Sequence, residues 1–310
     1  RFITQIEVEK VHEINKNILL AKTPVKYNTE ASYDKTKAVQ QKLKGLIKNG
    51  VSASMLCLYV MDQIRFFENY ILGLRDEKVE ETIAASTIGN IVHDSLELLY
   101  KGYVGKKIRI EDLKEMKKKI NKTVRNVIQN YVRKENIYRG KNVIIVKTVK
   151  TYVEKVIELD RKILIDKKEI KIIGIEKDFE REICDGKEKY KIRGKIDRID
   201  EVNGEIRVID YKSGKKLFKR DLMIRNIQEL REEKGIYNLQ LLVYMIGINK
   251  ELRGKPLKSG IINLKNMKDG FLEGKFNGIS TLNEENLENY KSEVILLIKD
   301  ILNNKNEFKN

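Results

Sequence analysis

The sequence predicts an α/β domain in which a small β-sheet is flanked by helices, with an added helical region ahead of it. Two observations predict this. Residues 110–164 and 283–303 place apolar side chains every three or four positions, the period of a helix packed along one side. Between them, residues 169–212 hold three apolar-rich runs with strand-like alternation, the last two joined by Asn203-Gly204, the dipeptide of a two-residue hairpin turn.

Residues 1–50 read as a lead-in, irregular or partly helical, with Thr23-Pro24 as a breaker and a basic helical stretch from Lys35 to Lys48. Residue 1 is Arg rather than Met, so the lead-in is expected to be a linker from a longer protein. The domain proper is expected over 51–310, with a helical part at 51–165 and an α/β core at 166–310. Ser52 suits the N-cap of a helix whose stripe runs through Leu56, Tyr59, Val60, Gln63, Phe67, Tyr70 and Ile71. Ser86 or Thr87 is expected to cap a helix reaching Gly102, with Ile88, Val92, Leu96 and Leu99 on one side and His93 beside them, as a packed histidine or as a ligand. Leu113, Met116, Ile120, Val124, Val127 and Ile128 form the next stripe, and Val143 to Ile163 another. Strands are expected over 169–183, 190–200 and 205–212, with Glu176 on the first. A polar loop then leads to a helix from Tyr237 to Ile248 that carries Gln240 and Tyr244 one turn apart. A late strand at 258–264 and a closing helix at 283–303 complete the chain.

Among 310 residues, 63 Lys and Arg stand against 46 Asp and Glu, a net charge of +17. That excess favours a polyanionic partner, nucleic acid above all, through phosphate neutralisation and counterion release. Lys117, Lys118, Lys119, Lys122, Arg125, Arg133 and Lys134 offer one basic track, or simply a solvated helix face. Cys57 and Cys184 form no CxxC pair, so neither a disulfide framework nor a zinc site is indicated, and a cytoplasmic setting is expected. No apolar run is long enough to span a bilayer and no signal-peptide pattern opens the chain, so no membrane partner is expected. No Gly-x-x-x-x-Gly-Lys-Ser/Thr occurs, so an ATP motor would lie elsewhere.

The chemistry concentrates between Gly194 and Gly214. Asp197 and Asp210 fall on neighbouring strands of the hairpin, and Asp210 and Lys212, two apart, point to the same face while Tyr211 points to the other. Hard carboxylate oxygens suit Mg²⁺ or Mn²⁺, which activates water and screens a phosphodiester, with Lys212 as a second positive charge beside the reacting atoms. The bland alternative makes the two aspartates solvent-facing partners of Lys195, Arg198 or Lys212.

Gly-x-x-Asp-x-x-Asp, a turn, and Ile-Asp-Tyr-Lys-Ser-Gly over 194–214 resemble the core of the PD-(D/E)XK nucleases, in the RecB-like branch that includes the AddAB and RecBCD nuclease domains. Gly89-x-x-x-His93 upstream and Gln240-x-x-x-Tyr244 downstream match in order and spacing, and Ser52 to Leu74 is a looser match to the helical segment that begins many of these domains, so the resemblance spans about residues 50–250. It implies a restriction-endonuclease-like core with a small mixed central sheet. It also implies metal ligation by His93, Asp197, Asp210 and the Tyr211 carbonyl, catalysis by Asp197, Asp210 and Lys212, and Gln240 and Tyr244 as substrate-orienting or supporting groups. Glu176 and Asp200 stand as possible extra ligands. As a ligand His93 must be neutral, so metal affinity is expected to fall below about pH 6.5. The implied activity is Mg²⁺- or Mn²⁺-dependent cleavage of DNA, of the exonuclease type that processes ends in recombination or repair. The implied context is the C-terminal domain of a helicase-nuclease-like protein, with a helicase subunit or helicase domain as partner. Asp62 and Gln63 occupy the positions of a Cys-Pro that in the family can donate to an iron-sulfur cluster, and no cysteine follows the Asp-Tyr-Lys strand, so no cluster is expected. Two rival readings are a catalytically silent DNA-binding scaffold and an RNA-cleaving nuclease.

Overall fold

The computed structural model describes residues 32–74, 85–303 and 307–309. These belong to one compact unit, Ser32–Asn310. The expectations for residues 1–31, including the Thr23-Pro24 breaker, lie outside the described residues.

The basic stretch forms helix α1 (Lys37–Asn49), capped by the Thr36 side chain, with Leu43 and Ile47 buried. Ser52 caps α2 (Ala53–Met61) by accepting from Met55 N at 3.2 Å. The expected single helix does not run on through Ile71. At Asp62 the backbone opens to φ −160°, ψ 93°, and its carboxylate accepts from Arg65 N at 2.7 Å, starting α3 (Gln63–Phe66), which passes into a π-helical turn at Phe67–Leu72. A side chain that bonds the backbone three residues on competes with helix continuation, so an aspartate in mid-stripe divides the segment. Helix α4 (Ala85–Tyr100) already contains Ser86 and Thr87, so neither is its N-cap, and the residue before Ala85 lies outside the described residues. Helices α5 (Ile110–Ile128) and α6 (Asn142–Ile165) follow, and α5 buries the six apolar residues of its stripe.

Strands β1 (Lys107–Ile108), β2 (Ile170–Asp185), β3 (Glu188–Val202) and β4 (Glu205–Lys212) pair antiparallel in that order. Asn203 and Gly204 take φ 50° and 88° at the β3–β4 turn, the left-handed pair that matches strand twist in a tight hairpin. After β5 (Met223–Ile224), helix α7 (Ile236–Ile248) leads to β6 (Leu257–Asn263), which lies parallel to β4. A parallel pair needs a crossover, and α7 rides on it. Short strands β7 (Phe271–Glu273), β8 (Lys275–Phe276) and β9 (Thr281–Leu282) precede the closing helix α8 (Glu284–Leu302), which Asn283 caps. β7 and β9 both pair with β6, while β5 and β8 make a separate parallel pair.

The sheet is therefore mixed and lies between two cores. Residues of α1, α2, α3, α7 and α8 pack with Ile192, Ile196 and Val208 on one side, and those of α4, α5 and α6 pack with Ile172, Ile209 and Tyr211 on the other. Along β4 the successive residues Val208 and Ile209 enter opposite cores, as strand alternation requires. Helix α7 is enclosed, which is why it is apolar nearly all round.

Candidate active site

Three adjacent strands bring the carboxylates together. The β3–β4 register pairs Arg198 with Ile209, so one step further along Asp197 stands across from Asp210. The β2–β3 register pairs Ile175 with Arg198 and Lys177 with Ile196, which puts Glu176 across from Asp197. Glu176 holds φ 45°, a left-handed conformation rare for a side-chain-bearing residue inside a strand, and strain of this kind gathers at functional sites. Asp197 and Asp210 are 8% and 2% exposed, which sets aside the solvent-facing alternative. Asp197 Oδ2 accepts the Tyr211 backbone N–H at 2.7 Å, fixing one carboxylate to the neighbouring strand.

His93 reaches this end of the sheet from α4, on the opposite side from α7. Its Nε2 lies 3.1 Å from the Tyr211 carbonyl oxygen, and its Nδ1 lies 3.3 Å from Asp197 Oδ1 and 3.4 Å from Glu176 Oε1. Gly89, one turn earlier, faces Ser213 at the end of β4, where an added Cβ would stand 2.7 Å from the hydroxyl oxygen. A larger residue there would turn Ser213 aside or lift the helix that carries His93.

From the other side, Gln240 Nε2 donates to Asp210 Oδ1 at 2.9 Å and to the Tyr244 hydroxyl at 2.7 Å. Gln240 and Tyr244 are thus turned onto the site's own carboxylate, as supports, and Tyr244 is largely buried. Its ring meets Phe179 edge-on at 6.1 Å, and Phe179 occupies space that Cβ atoms at Gly194 and Gly247 would fill. Lys212 Nζ lies 3.0 Å from Asp210 Oδ2 on the shared face.

The sequence profile of the PD-(D/E)XK nuclease superfamily matches residues 50–310. The chain belongs to the PD-(D/E)XK nuclease superfamily. It is 27% identical over 293 residues to a subunit of the ATP-dependent helicase/deoxyribonuclease of Clostridium perfringens, covering 88% of this chain and 23% of that protein. Proteins of the same name from Carboxydothermus hydrogenoformans (37% over 112 residues, 34% of this chain and 9% of that protein) and Alkaliphilus metalliredigens (25% over 225 residues, 67% and 19%) also match. The chain spans less than a quarter of the length of these relatives.

The donor set fits a divalent cation. One ligand atom each from His93, Glu176 and Asp197 lie within 4.8 Å of one another, next to the Tyr211 carbonyl. Two carboxylates and one imidazole are donors of the kind that hold divalent cations. Glu176, which the sequence offered only as a spare ligand, is thus a full member of the cluster. Without a cation the cluster holds protons. Burial opposes the His93 imidazolium, but the charge and hydrogen bonding of Asp197, with help from Glu176 and Asp210, push it up to about 11. Burial pushes the Asp210 carboxyl up to about 6, with Lys212 opposing and Asp197 adding to the rise.

Asp200, the other candidate extra ligand, is not brought to this cluster. It is fully buried, with Oδ1 accepting from Arg207 Nε at 2.8 Å and Oδ2 from Arg198 Nε and Arg207 Nη2 at 2.8 and 2.9 Å. Arg198 also donates to both oxygens of Asp160 on α6, and Asp160 accepts from the Tyr100 hydroxyl on α4. Burial and the two arginines occupy Asp200 as a structural anion. Sequence reading also missed Cys57, whose thiol donates to the Ile236 carbonyl at 3.3 Å in the field of Lys212 and Asp210. Burial pushes that thiol up to about 12, so it stays protonated and inert. Nothing in the spacing of Cys57 from Lys212 signals this neighbourhood, which arises because α2 packs against α7.

Proposed function

We propose that this chain is a Mg²⁺- or Mn²⁺-dependent nuclease domain that hydrolyses phosphodiester bonds in DNA, within a longer helicase-nuclease-type protein that processes ends for recombination or repair. One observation carries the reading. The Asp210–Lys212 pair, Asp197, Glu176, His93 and the Tyr211 carbonyl meet at one end of the sheet although they come from one helix and three strands spread over residues 93–212. The names of the relatives, each containing deoxyribonuclease, support DNA as substrate and a helicase as partner.

His93, Asp197, Asp210 and the Tyr211 carbonyl would hold the cation, with Glu176 completing the set. When bound, the cation supplies Lewis acidity at the phosphate and lowers the pKa of a coordinated water. Lys212 holds a positive charge beside the reacting atoms and is kept in place by Asp210 at 3.0 Å. Its role is to orient the attacking water and to offset the charge gathering on the non-bridging oxygens as the new P–O bond forms and the strand's P–O bond breaks. Gln240 keeps Asp210 from turning away, and Tyr244 in turn holds Gln240. No iron-sulfur cluster belongs to this reading, because Asp62 and Gln63 stand at the Cys-Pro positions and no cysteine follows the Asp-Tyr-Lys strand.

The test is incubation of the purified chain with end-labelled linear and circular DNA, and with RNA, in Mg²⁺, Mn²⁺ or EDTA. DNA should be cut only with metal. Lys212→Ala should lose at least about a hundredfold in rate while still binding DNA, since a lysine acting on charge in the transition state contributes about 3 kcal/mol or more. Equal cutting in EDTA, or by Lys212→Ala, overturns the reading.

A further inference from the structure

We propose that the loop after β4 carries a base-stacking subsite for an unpaired nucleic-acid strand, with Phe218 as its platform. The Phe218 side chain is 39% exposed. A lone exposed aromatic is ordinary, but this one has two cations over its ring, Lys216 Nζ at 5.2 Å and the Arg220 guanidinium at 5.5 Å from the ring centroid. Lys215, Lys216, Lys219, Arg220 and Arg225 form no ion pair with a described residue, so their charge is available to phosphates.

The loop is pinned on both sides of the ring. Leu217 and Leu222 are buried, the Leu217 carbonyl accepts from Asn266 Nδ2 at 2.7 Å, and Phe218 N donates to Asp221 Oδ2 at 2.8 Å. A fixed backbone that presents an aromatic face to solvent loses little entropy when a base settles on it. Lys216 and Arg220 are long and exposed, so a base taking a face of the ring shifts a cation to the adjoining phosphate.

The loop that carries Phe218 follows directly on Lys212 at the end of β4. A cavity of about 740 Å³ is lined by Lys215, Arg220, Arg225, Lys234 and Tyr237 and also by the carboxylates of Asp221, Glu229 and Glu233, of which Glu229 is paired with Lys234. Tyr237 lies one turn before Gln240, which holds Asp210. The Lys215 carbonyl accepts from Asn263 Nδ2 at 2.8 Å, on the strand beside Lys212. A strand lying in this cavity would pass between Lys215 and Arg220 of the Phe218 loop and Ile236 and Tyr237 at the start of the helix that carries Gln240. Bases inside a duplex stack on each other and leave no face for Phe218, whereas an unpaired base offers one, so the subsite selects a single strand. Naming that strand as the one being cut rests on the proposed function, whereas its binding does not.

The chain has no tryptophan, so Phe218→Trp introduces a single tryptophan at the platform, excited selectively beyond the absorption of the 14 tyrosines. With the full chain in EDTA, oligothymidylate should quench its emission, and a duplex of equal length should not. Phe218→Ala, with an unchanged circular dichroism spectrum, should bind oligothymidylate about tenfold more weakly, the size of one lost base stack, and bind duplex as before. Unchanged tryptophan emission at saturation, judged by anisotropy of a labelled strand, or equal losses for strand and duplex, would overturn the subsite. Quenching without any metal-dependent cutting sinks the nuclease reading and leaves the subsite standing. Cutting by a chain whose Phe218→Ala variant binds normally does the reverse.

Discussion

At His93 a proton and a cation compete for the same nitrogen. Asp197 and Glu176 raise the imidazole to about 11 against the cost of burial, so in the metal-free protein the proton stabilises the fold. That contribution is whole below about 6.5, the ordinary histidine value, and is lost as pH rises through about 11. The Asp210 proton acts with the same sign lower down, its contribution whole below the ordinary value of 3.8 and lost as pH rises through about 6. Across the neutral range the proton that a cation must replace is that of His93, so metal affinity should climb with pH there instead of levelling off near 6.5. Mn²⁺ binding near pH 7 should also release protons, measured by calorimetry in two buffers of different ionisation heat. His93→Gln should weaken Mn²⁺ binding and lower the proton release. Unchanged affinity and proton count would make His93 an ordinary packed histidine. The sequence-based expectation of a turning point near 6.5 treats His93 alone, and the two carboxylates that move it arrive from β2 and β3.

Between elements, a buried polar network ties two helices to the sheet. Arg198, wholly buried on β3, joins Asp160 of α6 and Asp200 of its own strand, lies 5.0 Å from the Tyr100 ring centroid of α4, and shares Asp200 with Arg207 of β4. Helix α4 also carries His93, so this network holds the helix that supplies a metal ligand. Arg198→Met should leave Asp160 without its main charge partner in the core and cost about 3–5 kcal/mol in urea unfolding, as breaking a buried ion pair by removing one partner does. A loss below about 1 kcal/mol would show that water reaches these carboxylates. The local elements around the network were largely legible in advance. The α5 stripe, the Asn203-Gly204 hairpin and the Ser52 cap all follow from apolar period, turn chemistry or capping within a few residues. The division of the second helix at Asp62 was not, because one carboxylate's choice of the Arg65 amide over solvent leaves no mark on periodicity.

Over the whole molecule, the net charge of +17 has a measurable consequence. Binding of single-stranded DNA should fall steeply with salt, with a log–log slope of about −3 or steeper if four or more phosphates are contacted at about 0.7 each. A flat dependence between 50 and 200 mM salt, on the order of physiological ionic strength, would mean that the excess charge is not used for binding. The same scale separates what residue order contains from what only packing decides. Residue order determines the hairpin, the shared face of Asp210 and Lys212, and the helical spacing of Gly89 with His93 and of Gln240 with Tyr244, because strand and helix geometry act over two to four residues. Packing alone decides that Glu176 joins His93 while Asp200 is bound by two arginines, although both read as acidic residues on neighbouring strands. Register across the sheet, the left-handed backbone at Glu176 and the docking of α4 and α7 on opposite faces make that choice, and each depends on contacts between residues far apart in the chain.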